Sequence, residues 1–543
     1  MAHLHIIDWM ILLIFFLALA ALVIWISRLK EESSSDYFLA GRSAKWWQIG
    51  SSIFSSNIGS EHLVGLAGAG AATGMAMAHW EMQGWMILIL GWVFVPFYDR
   101  AKIFTMPEFI ERRYSSGSRV FLSFISLISY VLTKISVTIY VGGIVFKSVL
   151  GIDSLFGIDF FWIGALILVV ITAIITVAGG MKAVLFTAVI QTPILIIGSL
   201  IIVGIGLHKL GGWGELERLV GHNIHLIRPV SDPHFPWPGV IMASAIIGFW
   251  YWCTDQYIVQ RTLAAQDQKQ ARRGAIFAGY LKLLPVLLFL IPGMIAFALN
   301  QKGLVHFEKA DESYLTLVSN ILPVGIKGIV IVGMFSALIC SLASKFNSTA
   351  TLFTIDFYKK FWPDTSELKL VKVGRIATVV IVILGFSWIV IIKLLSDVLY
   401  SYIQNVQALI APSIAAIFLL GVFSKRTTAK AAFYGLVTGF ILGMFRLSLD
   451  IFKKFLPKDG FLNAIASINT LYFSGILLAL CFVIIIVISY FTTKPDDAKL
   501  SGLTWYSATP KQISETRSSW NKWDVIHSCI ILGIIIAFYV YFW

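Results

Sequence analysis

The side chains best able to do chemistry in this chain lie where hydrocarbon should exclude them. Ser55-Ser56-Asn57-Ile58-Gly59-Ser60-Glu61-His62, Tyr251-Trp252-Cys253-Thr254-Asp255-Gln256 and the isolated Lys282 all sit inside long apolar runs. An ionisable group at the centre of a bilayer is costly unless it faces protein or a water-filled cavity, so each marks a candidate functional site. What these groups offer is hydrogen-bond donors and acceptors. The sequence contains no catalytic dyad, metal-ligand cluster or phosphate loop, and an enzyme is not expected. The chemistry such groups could do is recognition of a polar solute. Two of the stretches also interrupt a helix with glycine or polar residues, the pattern by which solute and ion sites form near the membrane midplane.

The elements that must position these residues are membrane spans. The chain has 543 residues, is 58% hydrophobic and only 13% charged, and its mean hydropathy is +0.83. A soluble protein of that length needs a charged surface, so a polytopic, all-α membrane protein is expected, with the lipid bilayer as its solvent. Apolar runs long enough to span give about fourteen helices. The net charge of +13 does not point to nucleic acid, because the basic residues are dispersed in short loops. Those after odd-numbered helices (Arg42, Arg100, Arg112, Arg113, Arg272, Lys359 among them) are the richer set, which makes that side cytoplasmic and both termini extracytoplasmic. The first apolar stretch has no basic leader or small-residue cleavage site and reads as a retained helix. Cys253, Cys340, Cys481 and Cys529 lie in apolar segments without ligand spacing and read as free thiols. The polar stretch 493–522 is expected to be flexible.

A weak internal symmetry organises the spans. Helix 46–70 opens a group of five and breaks at Asn57–Ser60; helix 237–260 opens a second group and breaks near Trp252–Gln256. Paired broken helices imply inverted repeats. The expected division is an N-terminal peripheral helix and cytoplasmic loop (1–45), a first repeat (46–208), an outer loop (209–236), a second repeat (237–424) and C-terminal peripheral helices (425–543).

The same stretches carry a resemblance. Ser55-Ser56-Asn57-Ile58-Gly59-Ser60 with Val64-Gly65-Leu66-Ala67-Gly68, Thr176-Val177-Ala178-Gly179-Gly180, Phe249 through Arg261, Gly279-Tyr280-Leu281-Lys282-Leu283 and Ser341 through Ser348 resemble, in order, the sodium/glucose cotransporters of the sodium–solute symporter family. The resemblance implies a leucine-transporter-type core of two inverted five-helix repeats plus peripheral helices. It also implies a plasma (inner) membrane symporter of a hexose, glucose or galactose, driven by one sodium ion with no organic cofactor. No obligate protein partner is evident. The alternatives are a myo-inositol or other polyol symporter, a carrier of a sugar acid, and a proton-coupled or uncoupled sugar carrier.

The resemblance further implies a substrate set of Asn57, His62, Glu81, Tyr251, Trp252, Lys282 and Gln404. Their chemistry suits a sugar: Glu81 accepts from neighbouring hydroxyls, Lys282 balances its charge, Asn57 and Gln404 donate and accept, and an aromatic face can meet the pyranose. Trp80 and Tyr251 are candidate gates. Plainer readings stand beside these: Lys282 as a structural partner for Asp255 or Glu81, His62 as a core histidine, Tyr251 and Trp252 as packing aromatics, and Asp255 as structural. For sodium the resemblance points to carbonyls of Ser55, Ile58 and Ala337 and to hydroxyls near Cys340 and Ser341. Cys340 offers soft sulfur where relatives usually offer a hydroxyl, a poor ligand for a hard cation. Proton use through Glu61, His62 or Glu81 is therefore the rival to sodium. Ala188 stands where relatives carry an aspartate that can serve another ion, hence one ion per solute. Gly248 and Gln407 replace threonines often found in glucose carriers, Ser401 replaces an aspartate, and Glu61 replaces a glycine.

Overall fold

The computed structural model describes residues 4–28, 33–395, 399–457 and 459–543; the side chain of Ser401 lies outside what it describes. Among the described residues, eleven continuous helical stretches are long and apolar enough to cross a membrane. Two broken helices and the division of Phe160–Leu210 at Gly180 add three crossings, giving the fourteen expected from hydropathy. Gly180 has φ +45°, and a Cβ there would fall 2.4 Å from the carbonyl oxygen of Tyr37, so only glycine fits that turn. The apolar run near 313–356 resolves into a short helix, Ser313–Ile321, and a spanning one that begins at Ile326.

The first broken helix runs Trp46–Asn57, opens at Ile58, and resumes over Glu61–Leu66 and Ala67–Thr73. The second runs Trp237–Phe249 and Trp250–Thr254, opens at Asp255, and resumes as Gln256–Leu263. Ile58 (φ −76°, ψ 112°) and Asp255 (φ −77°, ψ 126°) are both extended, so each cuts the helical hydrogen-bond ladder and frees carbonyls. Glu61–Leu66 and Trp250–Thr254 are widened turns beside the breaks, a distortion common at functional sites.

Close backbone approach locks the resumed half of the first broken helix against Ile291–Gln301. A Cβ on Gly293 would lie 1.9 Å from the Ala67 carbonyl oxygen, and one on Gly70 would lie 2.2 Å from that of Leu290. Small residues permit this contact, the usual means of helix association in lipid. Asp8 ties the first helix to the core: its Oδ1 accepts from the backbone N–H of Gly325 (2.8 Å) and Gly328 (2.9 Å) at the start of Ile326–Thr351.

The loop 209–236 is an ordered cap. It contains the helix Trp213–Val220, and Arg228 donates to the carbonyl of Thr73 at 2.9 Å, closing over the end of the first broken helix. The stretch 493–522 differs from the flexible loop expected. It holds the helix Pro510–Ser518; Arg100 donates to Thr516 at 3.0 Å, and Arg272 donates to Ser519. Donors on two spanning helices outside the stretch give its polar side chains fixed partners. Cys253, Cys340 and Cys481 are buried, whereas Cys529 is exposed on Lys522–Tyr541.

Candidate functional site

The two breaks face one cavity of about 580 Å³, its open mouth included. Asn57, at the end of the first helical half, and Tyr251 and Trp252, in the widened turn of the second, enter from the broken helices. Glu81 and Trp80 come from the single turn Ala78–Glu81, and Lys282 from the end of Gln268–Leu281, where that helix opens. Gln404 enters from Leu399–Phe423, and His62 from just past the first break. All seven residues expected at the substrate site thus line the cavity, from five separate elements.

Charge and hydrogen bonds organise its floor. Lys282 Nζ donates to Glu81 Oε2 at 2.5 Å and to Asn57 Oδ1 at 3.2 Å, and it lies 5.2 Å from the centre of the Trp252 ring. The plainer reading of Lys282 as partner of Glu81 therefore describes one of its contacts, and Asp255 is not its partner. His62 Nε2 comes within 3.3 Å of Glu81 Oε2, while His62 Nδ1 has no partner in the protein. Asn57 Nδ2 donates to the Tyr251 hydroxyl at 2.9 Å, and that hydroxyl also bonds to Tyr257. Gln404 Oε1 and Trp80 Nε1 are buried without protein partners. A carboxylate, an ammonium, amides, an imidazole and two indoles converge here, several with unused capacity. A polyhydroxylated neutral solute satisfies such a set; an apolar one leaves the unused groups unpaired at about 1–3 kcal/mol each.

Access is bounded by aromatics. Trp80 packs edge-on to Phe235 of the 209–236 cap at 6.2 Å, and Tyr251 packs edge-on to Trp252 at 4.9 Å and to Tyr257 at 5.6 Å. Gln83, which sequence reasoning passed over, fixes the Trp252 indole: its Oε1 accepts from Trp252 Nε1 at 2.8 Å, and its Nε2 donates to the Ser244 carbonyl at 2.9 Å. Gly248 makes room for it, since a Cβ there would lie 3.0 Å from the Gln83 amide. Gln83→Leu removes the indole's acceptor, at about 1–3 kcal/mol. The expected result is a rise of about tenfold in half-saturating solute concentration, checked by uptake kinetics.

Two further ion pairs flank the cavity, one buried and one half-buried on its acid. Asp255 accepts from Lys134 and from the Tyr130 hydroxyl, and it caps Gln256–Leu263 through the Tyr257 N–H at 3.4 Å. Lys134 Nζ also lies 4.5 Å from the centres of both the Tyr130 and the Tyr257 rings. Lys345 Nζ contacts Glu61 Oε1 at 3.1 Å and donates to Thr138 Oγ1 at 2.6 Å. Asp255 stands at a helix break and Glu61 just after one, and their lysines lie 121 and 284 residues away in sequence. Lys134 and Lys345 carry the same signal as Lys282, a charge within an apolar run; Gln83, neutral between Met82 and Gly84, carries none.

Of the residues expected at the ion site, Ser55 and Ile58 belong to the first break and Ser341 packs against it. Gly59 sits against Ser341, whose Oγ is buried without a partner, and Ser56 Oγ meets Ser344 Oγ at 2.7 Å on the same helix. Ser55 and Ile58 border the break, and Ala337, Cys340 and Ser341 lie within Ile326–Thr351. The Cys340 thiol donates to Gln191 Oε1 and lies 3.9 Å from Thr187 Oγ1. Freed carbonyls and an orphaned hydroxyl suit a hard monovalent cation, and the sulfur is engaged elsewhere.

Residues 37–439 match the family described as the sodium:solute symporters. The mouse protein named sodium/glucose cotransporter 4 is 38% identical over 93% of this chain and 78% of its own length. The human protein named sodium/myo-inositol cotransporter 2 is 36% identical, over 92% of this chain and 79% of that protein. Among solved structures, a sodium-coupled sialic acid symporter in a substrate-bound outward-open state superimposes with a TM-score of 0.74, covering 90% of this chain and 99% of the other. Its identity of 20% speaks to the fold alone.

Proposed function

This chain belongs to the sodium:solute symporter family, and we propose that it carries a hexose, glucose or galactose, into the cell with one sodium ion, by alternating access. It is a transporter and not an enzyme. The observation that carries the sugar reading is the cavity in which Lys282 bonds both Glu81 and Asn57 while His62 and Gln404 keep unused capacity. A ring of vicinal hydroxyls supplies what these groups lack, and the Trp252 or Tyr251 face can meet the apolar side of a pyranose.

Myo-inositol shows a similar ring of hydroxyls, and relatives named for glucose and for myo-inositol match this chain almost equally, so a polyol is the second reading. A sugar acid is disfavoured because Glu81 would face the solute's carboxylate. Asn57, His62, Glu81, Tyr251, Trp252, Lys282 and Gln404 bind the solute in this reading, with Trp80 and Tyr251 as gates. Sodium at the first break straightens that helix and favours the outward-open form; solute closes the outer side, and the core rocks inward. The protein then sits in the plasma membrane with both termini outside.

One charge moved through about 100 mV yields roughly 2.3 kcal/mol, and a tenfold ion gradient adds about 1.4 kcal/mol. Coupling to a single ion thus supports accumulation of several hundredfold. The test is uptake of labelled glucose, galactose and myo-inositol into proteoliposomes under an imposed sodium gradient. Accumulation above equilibrium that collapses with the gradient is expected. Mere equilibration, or accumulation driven by a proton gradient instead, overturns the sodium reading.

A further inference from the structure

Beside the first break, two buried oxygens lack partners at the same place. Ser341 Oγ is one, on a side chain fully buried within Ile326–Thr351. Glu61 Oε2 is the other. They converge on Gly59: a Cβ built there would lie 2.6 Å from Ser341 Oγ and 2.9 Å from Glu61 Oε2. The missing side chain keeps the space between them open, and Ile58, extended, leaves the helix unwound alongside. The other carboxylate oxygen of Glu61 is held by Lys345 at 3.1 Å, and Lys345 is steadied by Thr138. The carboxylate is thus aimed, with one oxygen tethered and the other free.

We propose that Glu61 supplies a charged oxygen to the transported sodium ion beside Ser341, in place of the hydroxyl that Cys340 does not provide, and that Lys345 positions it. This rests on the sodium-coupled reading above. A carboxylate bridging Lys345 through Oε1 and the ion through Oε2 meets the preference of a hard cation for oxygen, which a thiol turned toward Gln191 cannot. The ammonium lies on the far oxygen and offsets the carboxylate's charge when the ion leaves. An acid at this position therefore sets the affinity and selectivity of the ion site as well as bordering the solute cavity.

The test uses the full-length protein and two readouts: the sodium concentration that half-saturates solute uptake into proteoliposomes, and the sodium-induced rise in Tm of purified protein without solute, against choline chloride. Glu61→Gln is expected to raise half-saturating sodium at least tenfold and to shrink the sodium-induced rise in Tm. Because a lone Lys345 could destabilise that variant, Glu61→Gln with Lys345→Met removes both charges of the pair and is expected to show the same loss of sodium affinity. If Glu61 only ties helices together, the double variant regains wild-type sodium affinity, and the inference falls. A wild-type protein that responds to sodium while both variants match it sinks this inference alone; a wild-type protein with no sodium response sinks it together with the reading on which it rests.

Discussion

Lys282→Met is expected to abolish concentrative uptake. The ammonium is the hub of the cavity floor, within hydrogen-bonding distance of Glu81 Oε2 (2.5 Å) and Asn57 Oδ1 (3.2 Å) and near the face of Trp252. Removing one partner of a buried pair leaves the other uncompensated, at a cost of about 3–5 kcal/mol. Independently of stability, loss of the donor that orients Glu81 and Asn57 is expected to lower solute affinity at least a hundredfold, about 2.7 kcal/mol. Two measurements separate binding from folding. The single variant unfolds at a lower temperature than the wild type, whereas Glu81→Gln with Lys282→Met, which neutralises both sites, regains stability without regaining transport. Near-normal uptake by Lys282→Met would remove the hub from the mechanism.

Gly293→Ala tests the packing beneath the site. The added methyl would sit 1.9 Å from the Ala67 carbonyl oxygen and 2.7 Å from its carbon. Overpacking costs about 1–3 kcal/mol when side chains can adjust, and more when they cannot. Here the obstacle is backbone, so the helices must separate. Ala67 directly follows the turn that carries Glu61 and His62, so both move with it. The expected outcome is a sharp loss of monodisperse protein in detergent and a lowered Tm. Gly204→Ala is the control: a Cβ there meets nothing within 4 Å, and substituting alanine in a helix interior is neutral or stabilising by about 0.5–1 kcal/mol.

The legible part of this protein was whatever lipid forces into the sequence. A span must be apolar for about 20 residues, so the fourteen crossings and the two polar interruptions stood out, and so did Lys282. Partnership beyond Glu81 and Lys282 was not legible. Lys134 and Asp255 are 121 residues apart, and nothing local to either points to the other. Gln83 was invisible because a neutral amide leaves no mark in composition; only the indole it meets reveals its task. The stretch 493–522 was misread for the same reason: its polarity suggested solvent, but Arg100 and Arg272 reach it from other helices.

The crossed ion pairs bear on how the protein is made. Lys134 and Glu61 leave the ribosome before Asp255 and Lys345 have been joined to the chain, and the later gap is 284 residues. At about 5–20 residues per second, that delay is roughly 15–60 s. Throughout it Glu61 has no final counter-ion, and Lys134 has none until Asp255 is added 121 residues after it. The nascent first half must wait at the insertion machinery, or lean on temporary contacts there, until the second half arrives to neutralise it.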